Sequence, residues 1–178
     1  MDTKDNKFVN VTAKLSDSLN RVVTHLCMTT MAGMTFVVLL GVVFRYLLQM
    51  PLSWTEELSR YLMIWSASLA ISIGIKEKGH VGLTVLVDRA KSKILRTILE
   101  TAIFFVTLVF LSIMIYYSIQ MVAEAKWQIS QGLGISMVLP TLAVPVAMII
   151  GIVQLIARYI LDLGKSGPAD FEREIIDI

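Results

Sequence analysis

The sequence predicts an all-α integral membrane protein: a bundle of four transmembrane helices, with short amphipathic helices at the membrane surface. Of its 178 residues, 56% are hydrophobic and only 17% are charged, a composition typical of membrane proteins. Charged residues separate four apolar runs, each close to the roughly 20 residues that a transmembrane helix needs. Residues 1–178 are therefore interpreted as a single transmembrane domain. Its spans lie at about 22–44, 58–75, 98–123 and 133–157.

The first span follows a polar N-terminal segment, residues 1–21. From Val9 to Val23, apolar residues recur at helical spacing: Val11, Leu15, Leu19 and Val22. Two interpretations fit this pattern, a short amphipathic helix lying on the membrane or a helical lead-in to the first span. The span itself contains no charged side chain. It is too long for a signal peptide, and so is the polar region before it.

The second span follows a proline turn at Pro51. Ser53 and Glu56 have the spacing of a capping box, which predicts that the helix begins here. The chain then lacks Pro and Gly until Gly74, which favours one helix of about 22 residues and about 33 Å. A helix of this length can cross a bilayer.

The remaining segments are read from their charge and from their helix-breaking residues. Residues 76–96 are the most basic part of the chain, and the apolar residues 81–87 within them are expected to fold back onto the membrane surface. The third helix is expected to continue past its span to about Gln131, where glycines follow. Pro140 and Pro145 lie inside the fourth span and predict a kink, because neighbouring helices can satisfy the carbonyls that proline leaves free.

Lysine and arginine are distributed unevenly between the two sides of the membrane. The N-terminal segment, the 76–96 loop and the tail, residues 158–178, together hold 13 of the 16 Lys and Arg residues. Cytoplasmic loops carry an excess of these residues, so both termini and this loop are predicted to be cytoplasmic. The opposite side carries aromatic residues suited to a membrane interface: Tyr46, Trp54, Tyr61 and Trp127.

The charge pattern also bears on function. Between the interfaces the sequence has no Asp, Glu, Lys or Arg, although ion and anion pathways usually require such groups or unwound helices. This disfavours an autonomous small channel or exporter, which is kept as an alternative. A single cysteine, Cys27, excludes an intramolecular disulfide and a CxxC site. No catalytic residue, metal site, cofactor or nucleic-acid partner is predicted.

Small residues recur at four-residue spacing in two of the spans. They are Ser66, Ala70 and Gly74 in the second span, and Ala143, Ala147 and Gly151 in the fourth. Such stripes allow helices to approach closely and pack. Packing within the bundle and docking onto another membrane protein are both open, as is a division in which one stripe serves each purpose.

Two histidines raise a hypothesis from another class of protein. His25 lies near the inner end of the first span and His80 just past the inner end of the second. Together they could ligate haem or a metal, which would make the chain a redox membrane subunit. Two lone histidines without flanking ligands are more often structural, so this reading is held only as an alternative.

Charged residues also mark the start of the second span. Glu57 and Glu56 precede Arg60 by three and four residues, the spacing of side chains that can meet on a helix. One interpretation is an interfacial ion pair of little energetic value. The other is a polar cluster that orients the span or contacts a partner. Trp54, Glu57 and Arg60 are the candidates for fixing the outer end of this span.

The motifs around Trp54 occur in a specific order. They are Arg45-Tyr46, Pro51, Trp54, Glu56-Glu57-Leu58, Arg60, Trp65 and Gly79-His80-Val81. In this order the sequence resembles the small membrane subunit of tripartite ATP-independent periplasmic (TRAP) transporters. The resemblance covers roughly residues 20–160 and includes Leu139-Pro140 and Pro145 in the fourth span. It departs at Gly82-Leu83-Thr84, where the family commonly has a more polar stretch with an Asp.

The resemblance implies a small, non-catalytic permease subunit in a bacterial inner membrane. Its partners would be a large multi-span permease subunit, a periplasmic solute-binding protein and membrane lipids. It implies sodium-driven uptake of carboxylate solutes such as dicarboxylates or sialic acids. In this family the large subunit carries the substrate and sodium sites, and the small one widens the fixed scaffold. Arg45 and His80, as parts of the matching motifs, join the candidate structural or partner-interface residues.

Overall fold

The computed structural model describes residues 3–77 and 93–165, with side chains for 11–77 and 98–161. Four stretches of these residues are long and apolar enough to cross a membrane, which confirms the all-α prediction of four spans. The helices are α1 (Thr3–Tyr46), α2 (Ser53–Lys76), α3 (Lys93–Ala125), α4 (Val138–Thr141) and α5 (Ala143–Lys165). The apolar segment 81–87, His80 and most of the C-terminal tail lie outside the described residues.

The first span and the segment before it form one continuous helix. α1 contains 44 residues, so at about 1.5 Å per residue it is about 66 Å long, roughly twice the hydrocarbon thickness of a bilayer. Of the two interpretations of the N-terminal segment, the helical lead-in is therefore the one observed. Within the part of α1 whose side chains are described, the stretch Val11–Tyr46 is long and apolar enough to span a membrane.

The capping box predicted at the start of α2 does not form. The helix begins at Ser53, and the residue before it, Leu52, is extended and makes no side-chain capping bond. Since Ser53 is already helical, its hydroxyl is not at the position from which a capping side chain reaches the third N–H. Thr55 instead donates from Oγ1 to the Leu52 carbonyl at 2.7 Å. Glu56 pairs with Arg45 across the α1–α2 turn.

The third helix ends earlier than expected, and the fourth span is interrupted near its prolines. α3 ends at Ala125, so the expected continuation to Gln131 is not observed. Residues 126–137 form a loop, and the helical part of the fourth span begins at Val138. Leu142 separates α4 from α5. Pro145 has no N–H for the carbonyl four residues earlier, which accounts for an interruption where a kink was predicted.

Helices α2 and α5 form the centre of the bundle. α1 packs against both of them, and α3 packs against α5. The core contains Ile75, Leu111, Ala147, Met148 and Leu155. Only 6% of the most apolar window of α1 and of α3 is buried, against 33% for α2 and 44% for α5. The outer helices therefore present most of their apolar side chains to the surroundings of the bundle.

The two stripes of small residues lie in different environments. Ala143 and Ala147 are fully buried, and a Cβ added at Gly151 would lie 3.1 Å from Cδ1 of Ile75. The fourth-span stripe therefore packs inside the bundle. In the other stripe Ser66 is buried and Ala70 is exposed. A Cβ added at Gly74 would meet no atom of the described residues within 4 Å.

One end of α2, which we call the Lys76 end, is held by charged side chains. Lys76 Nζ lies 2.6 Å from Oδ1 of Asp17, which joins α2 to α1. Arg158 of α5 donates to the carbonyl oxygen of Ile75 at 2.8 Å. Both cations suit the negative end of the α2 dipole, and Arg158 satisfies a carbonyl that the ending helix leaves without a partner.

Substitution of Gly151, which packs against Ile75, is expected to destabilise the bundle, whereas substitution of Gly74 is not. A leucine at Gly151 would have to displace Ile75 and Leu111, and overpacking a filled core costs about 1–3 kcal/mol. Thermal unfolding in detergent should therefore show a melting temperature about 2–12 °C lower for Gly151→Leu. Gly74→Leu is the matched control, because both substitutions gain the same helix propensity. Equal melting temperatures would contradict the assignment of the two stripes.

Candidate functional site at the Glu57 end of the bundle

The opposite end of the bundle, which we call the Glu57 end, is formed by the α1–α2 turn and the 126–137 loop. The loop folds back on itself: Ser130 N–H donates to the Ile135 carbonyl at 2.9 Å, and Met137 N–H donates to the Gln128 carbonyl at 3.0 Å. Gly134 has a φ of 67°, a left-handed conformation that glycine adopts without a steric cost. The loop is therefore an ordered hairpin-like structure.

The carboxylate of Glu57 joins this loop to α2. Its Oε2 accepts hydrogen bonds from the backbone N–H of Gly132 at 2.7 Å and of Leu133 at 3.1 Å. Its Oε1 accepts from the hydroxyl of Tyr61 at 2.6 Å, and the side chain of Ser130 also bonds to it. An ionised carboxylate only accepts hydrogen bonds, so one side chain satisfies four donors from the loop and the helix.

Gly132 makes this arrangement possible. A Cβ at this position would lie 2.6 Å from Oε2 of Glu57, 3.3 Å from the Ser53 carbonyl and 3.4 Å from Cα of Trp54. The loop backbone thus lies directly on the first turn of α2. A residue with a side chain would separate the two and lengthen the hydrogen bonds to the carboxylate.

Two aromatic side chains of α2 extend the contact toward the fourth span. The Tyr61 hydroxyl, bound to Glu57, also lies 3.1 Å from Sδ of Met137. One turn further along, Trp65 Nε1 donates to the carbonyl of Leu139 at 3.2 Å. This carbonyl belongs to the short helix before the interruption at Leu142, so Trp65 supplies a donor next to a break in the helix.

The ion pairs expected within α2 are not the ones that form. Glu56 pairs with Arg45 at 2.5 Å, and both side chains are about half exposed. Glu57 bonds to the loop. Arg60 forms no ion pair with any side chain that the structure describes and lines a cleft between α1 and α2. Glu57 therefore contacts the loop, and Trp54 contributes its backbone to the same contact. That these residues orient the second span stays a prediction.

The two residues that motivated the redox alternative are not brought together in the described part of the chain. His25 is exposed on α1, and His80 lies outside the described residues. Among the side chains described, those of residues 11–77 and 98–161, no group of three or more His, Cys, Asp or Glu could hold a metal ion. Cys27 donates from Sγ to the Ser66 carbonyl at 3.4 Å, a packing contact between α1 and α2.

Sequence reasoning missed the loop partners of Glu57, namely Ser130, Gly132 and Leu133. The glycines at 132 and 134 gave a signal, but it was interpreted only as the end of a helix. Periodicity identifies which residues of a helix share a face, and Glu57 and Gly132 are 75 residues apart. The polar site therefore emerges only when the loop is folded onto α2.

The fold and this site define a small multi-span helical membrane protein whose charged side chains join its own segments at both ends of the bundle. Comparison with known families gives its class. The profile described as "Tripartite ATP-independent periplasmic transporters, DctQ component" matches residues 34–164. Since this covers more than half of the chain, the protein belongs to the DctQ family of TRAP transporter small permease subunits, proteins of the bacterial inner membrane.

Two relatives in Haemophilus influenzae support this membership. A protein of strain ATCC 51907 / DSM 11121 / KW20 / Rd, assigned as a TRAP transporter small permease, is 41% identical over 75 residues, 42% of this chain and 47% of the relative. The sialic acid TRAP transporter permease protein SiaT of strain 86-028NP is 27% identical over 149 residues, 79% of this chain but 24% of the relative. The chain thus spans less than half the length of each relative.

Removal of the Glu57 carboxylate is expected to loosen the 126–137 loop. Glu57→Ala leaves the Gly132 N–H without its acceptor, so this amide should exchange with solvent about tenfold faster or more. The Leu133 N–H keeps Oγ of Ser130 as an acceptor at 3.1 Å, so its exchange should rise less. Hydrogen exchange of the purified protein, followed by mass spectrometry, measures this. Glu56→Ala is the matched control, because it removes a neighbouring carboxylate that bonds to Arg45 and not to the loop.

A second variant tests the same contact from the loop side. Gly132→Ala places a methyl group against Oε2 of Glu57 and should raise exchange in the loop in the same way. Because both changes act on one contact, adding Gly132→Ala to Glu57→Ala should have less effect than adding it to the wild type. Unchanged loop exchange in both single variants would show that Glu57 does not hold the loop.

Proposed function

We propose that this chain is the non-catalytic scaffold subunit of a sodium-driven TRAP transporter. It would support a large permease subunit that takes up a carboxylate solute, such as a dicarboxylate or a sialic acid, delivered by a periplasmic binding protein. The observation that carries the proposal is the match to SiaT, in which a region similar to this chain forms 24% of a longer permease. In that relative the rest of the permease is joined covalently to the similar region.

The distribution of charge supports a mechanical role. The middle of each span lacks Asp, Glu, Lys and Arg, whereas the charged side chains with described contacts lie at the Glu57 and Lys76 ends. Binding an ion or a carboxylate inside the membrane requires groups that replace its hydration shell. The solute and sodium sites are therefore assigned to the large subunit, and this chain contributes fixed helices beside it.

The exposed surface also supports a role in assembly. α1 and α3 leave most of their apolar side chains uncovered, and α2 presents Ala70 and the open position at Gly74. Small residues on a helix surface allow a second helix to approach closely, which favours protein contact where larger side chains would suit lipid. We place the contact with the large subunit on this part of α2.

The bundle is proposed to have its Lys76 end in the cytoplasm. Most Lys and Arg residues lie in segments on that side, whereas Arg45, Arg60 and Lys126 are on the other. A protease site added after residue 178 should be cleaved in inside-out membrane vesicles and protected in intact spheroplasts. Cleavage in the spheroplasts alone would reverse the orientation.

The proposed subunit role predicts both a complex and a sodium-dependent activity. The tagged chain, extracted in mild detergent from its native membrane, should co-purify with a large multi-span permease near one to one. Liposomes containing both chains should take up solute only with the binding protein and an inward sodium gradient. Recovery of the chain alone, in an extraction that preserves a control complex, would contradict the proposal.

Gly74→Leu tests which surface the large subunit contacts. Because a Cβ at this position would meet no atom of the described residues within 4 Å, we expect the variant to fold normally. If the large subunit approaches α2 here, co-purification should fall severalfold, while the melting temperature of the isolated chain stays unchanged. Met63→Ala, on an exposed position of the same helix, serves as the control. Normal yield of the complex would move the contact to another surface.

A further inference from the structure

A cleft at the Glu57 end lies between the last turns of α1 and the first turns of α2. Its volume is about 380 Å³. Apolar side chains form part of its wall, and the polar part includes Arg45, Glu56, Ser59 and Arg60. The Glu57 contact with the loop lies outside this cleft, since the lining residues do not include Glu57.

The apolar wall of the cleft includes residues of α1, a helix whose most apolar window is only 6% buried. Val38 and Val42 line the cleft and are 45% and 46% exposed, so they also belong to the outer surface of the helix. Tyr46 follows at the end of α1 and is 71% exposed. The cleft is therefore open toward the region where lipid chains surround a membrane protein, with its polar groups at the interface.

The charges in the cleft leave one cation available. Arg45 is paired with Glu56 at 2.5 Å, so their charges largely compensate each other. Arg60 forms no ion pair with the side chains described, and its neighbour Glu57 is bound to the loop. The net formal charge of the cleft is thus positive. A guanidinium group offers several N–H donors in a plane, which suits the oxygens of a phosphate group.

We propose that this cleft binds a membrane glycerophospholipid, with the headgroup phosphate on Arg60 and an acyl chain along Val38 and Val42. An apolar wall that ends at an unpaired arginine matches the order of groups in a phospholipid, in which the phosphate lies directly above the acyl chains. A free phosphate ion would use only the cation and leave the apolar wall unfilled. The proposal rests on the membrane location of the family and not on the proposed transport function.

The test measures lipid retention by the purified chain. Phosphatidylglycerol is added to the delipidated protein in detergent micelles, and bound lipid is counted by native mass spectrometry across a concentration series. Arg60→Gln should weaken binding of one lipid by about fivefold or more. Lys126→Gln removes an exposed cation from the same end, outside the cleft, and should leave that binding unchanged. Arg60→Lys keeps the positive charge but loses the planar set of guanidinium N–H donors, so its lipid affinity should be intermediate. This variant replaces Arg60→Gln if the latter does not fold.

Three results would overturn the proposal. Equal lipid binding by the wild type and both Arg60 variants would remove Arg60 from the site. Equal loss on Lys126→Gln would show a general attraction of anionic lipid to positive charge. Inorganic phosphate or glycerol phosphate that displaces the lipid at matched concentration would define a small-anion site, because the acyl chain would then contribute nothing.

Discussion

Close contact of α5 with the other three spans is the constraint on which the bundle depends. In a membrane no hydrophobic force draws one apolar helix to another, so packing and hydrogen bonds have to hold the helices together. The absence of a side chain at Gly151 leaves room for Ile75 of α2 and Leu111 of α3. Ala143 and Ala147, fully buried, continue this close approach along α5. One helix surface of small residues thus fixes the positions of two neighbours at once.

Helix packing does not supply hydrogen-bond partners for the backbone groups at the ends of the helices, and charged side chains provide these partners. At the Glu57 end a carboxylate accepts from two loop N–H groups, of which the Gly132 N–H has no other acceptor among the described residues. At the Lys76 end Arg158 donates to the Ile75 carbonyl, and Lys76 pairs with Asp17. Acidic groups near the start of α2 and basic groups near its end also match the helix dipole. α2 is therefore held at both ends by contacts with different segments.

The sequence predicted four helical spans correctly, because hydropathy depends only on residues that are close together in the chain. The sequence also contained two stripes of small residues, but it did not show which stripe faces the inside of the bundle. The direction of each stripe depends on which residues pack against Gly74 and Gly151. The capping box at Ser53 was wrong because a match of two residues does not fix where a helix begins. The donors to Glu57 could not be predicted, because they come from a loop 75 residues away and from its backbone. Charge spacing along the helix suggested Arg60 as the partner of Glu57, but in the folded protein Glu57 bonds to the loop.

The separation of polar contacts at the ends of the bundle from apolar packing along its length also limits how the bundle can recognise another membrane protein. Its described polar contacts are concentrated at the two ends, so the apolar surface between them offers few directional bonds. Recognition along that surface has to rest on shape, and shape differs from place to place. α1 and α3 present many large side chains, whereas α2, beside the exposed Met63 and Ile71, presents Ala70 and the open Gly74. A large side chain can meet fluid lipid as well as protein, but a groove of small residues gains most from a rigid helix. We therefore propose that α2, already fixed at both ends, is the surface on which the transporter assembles.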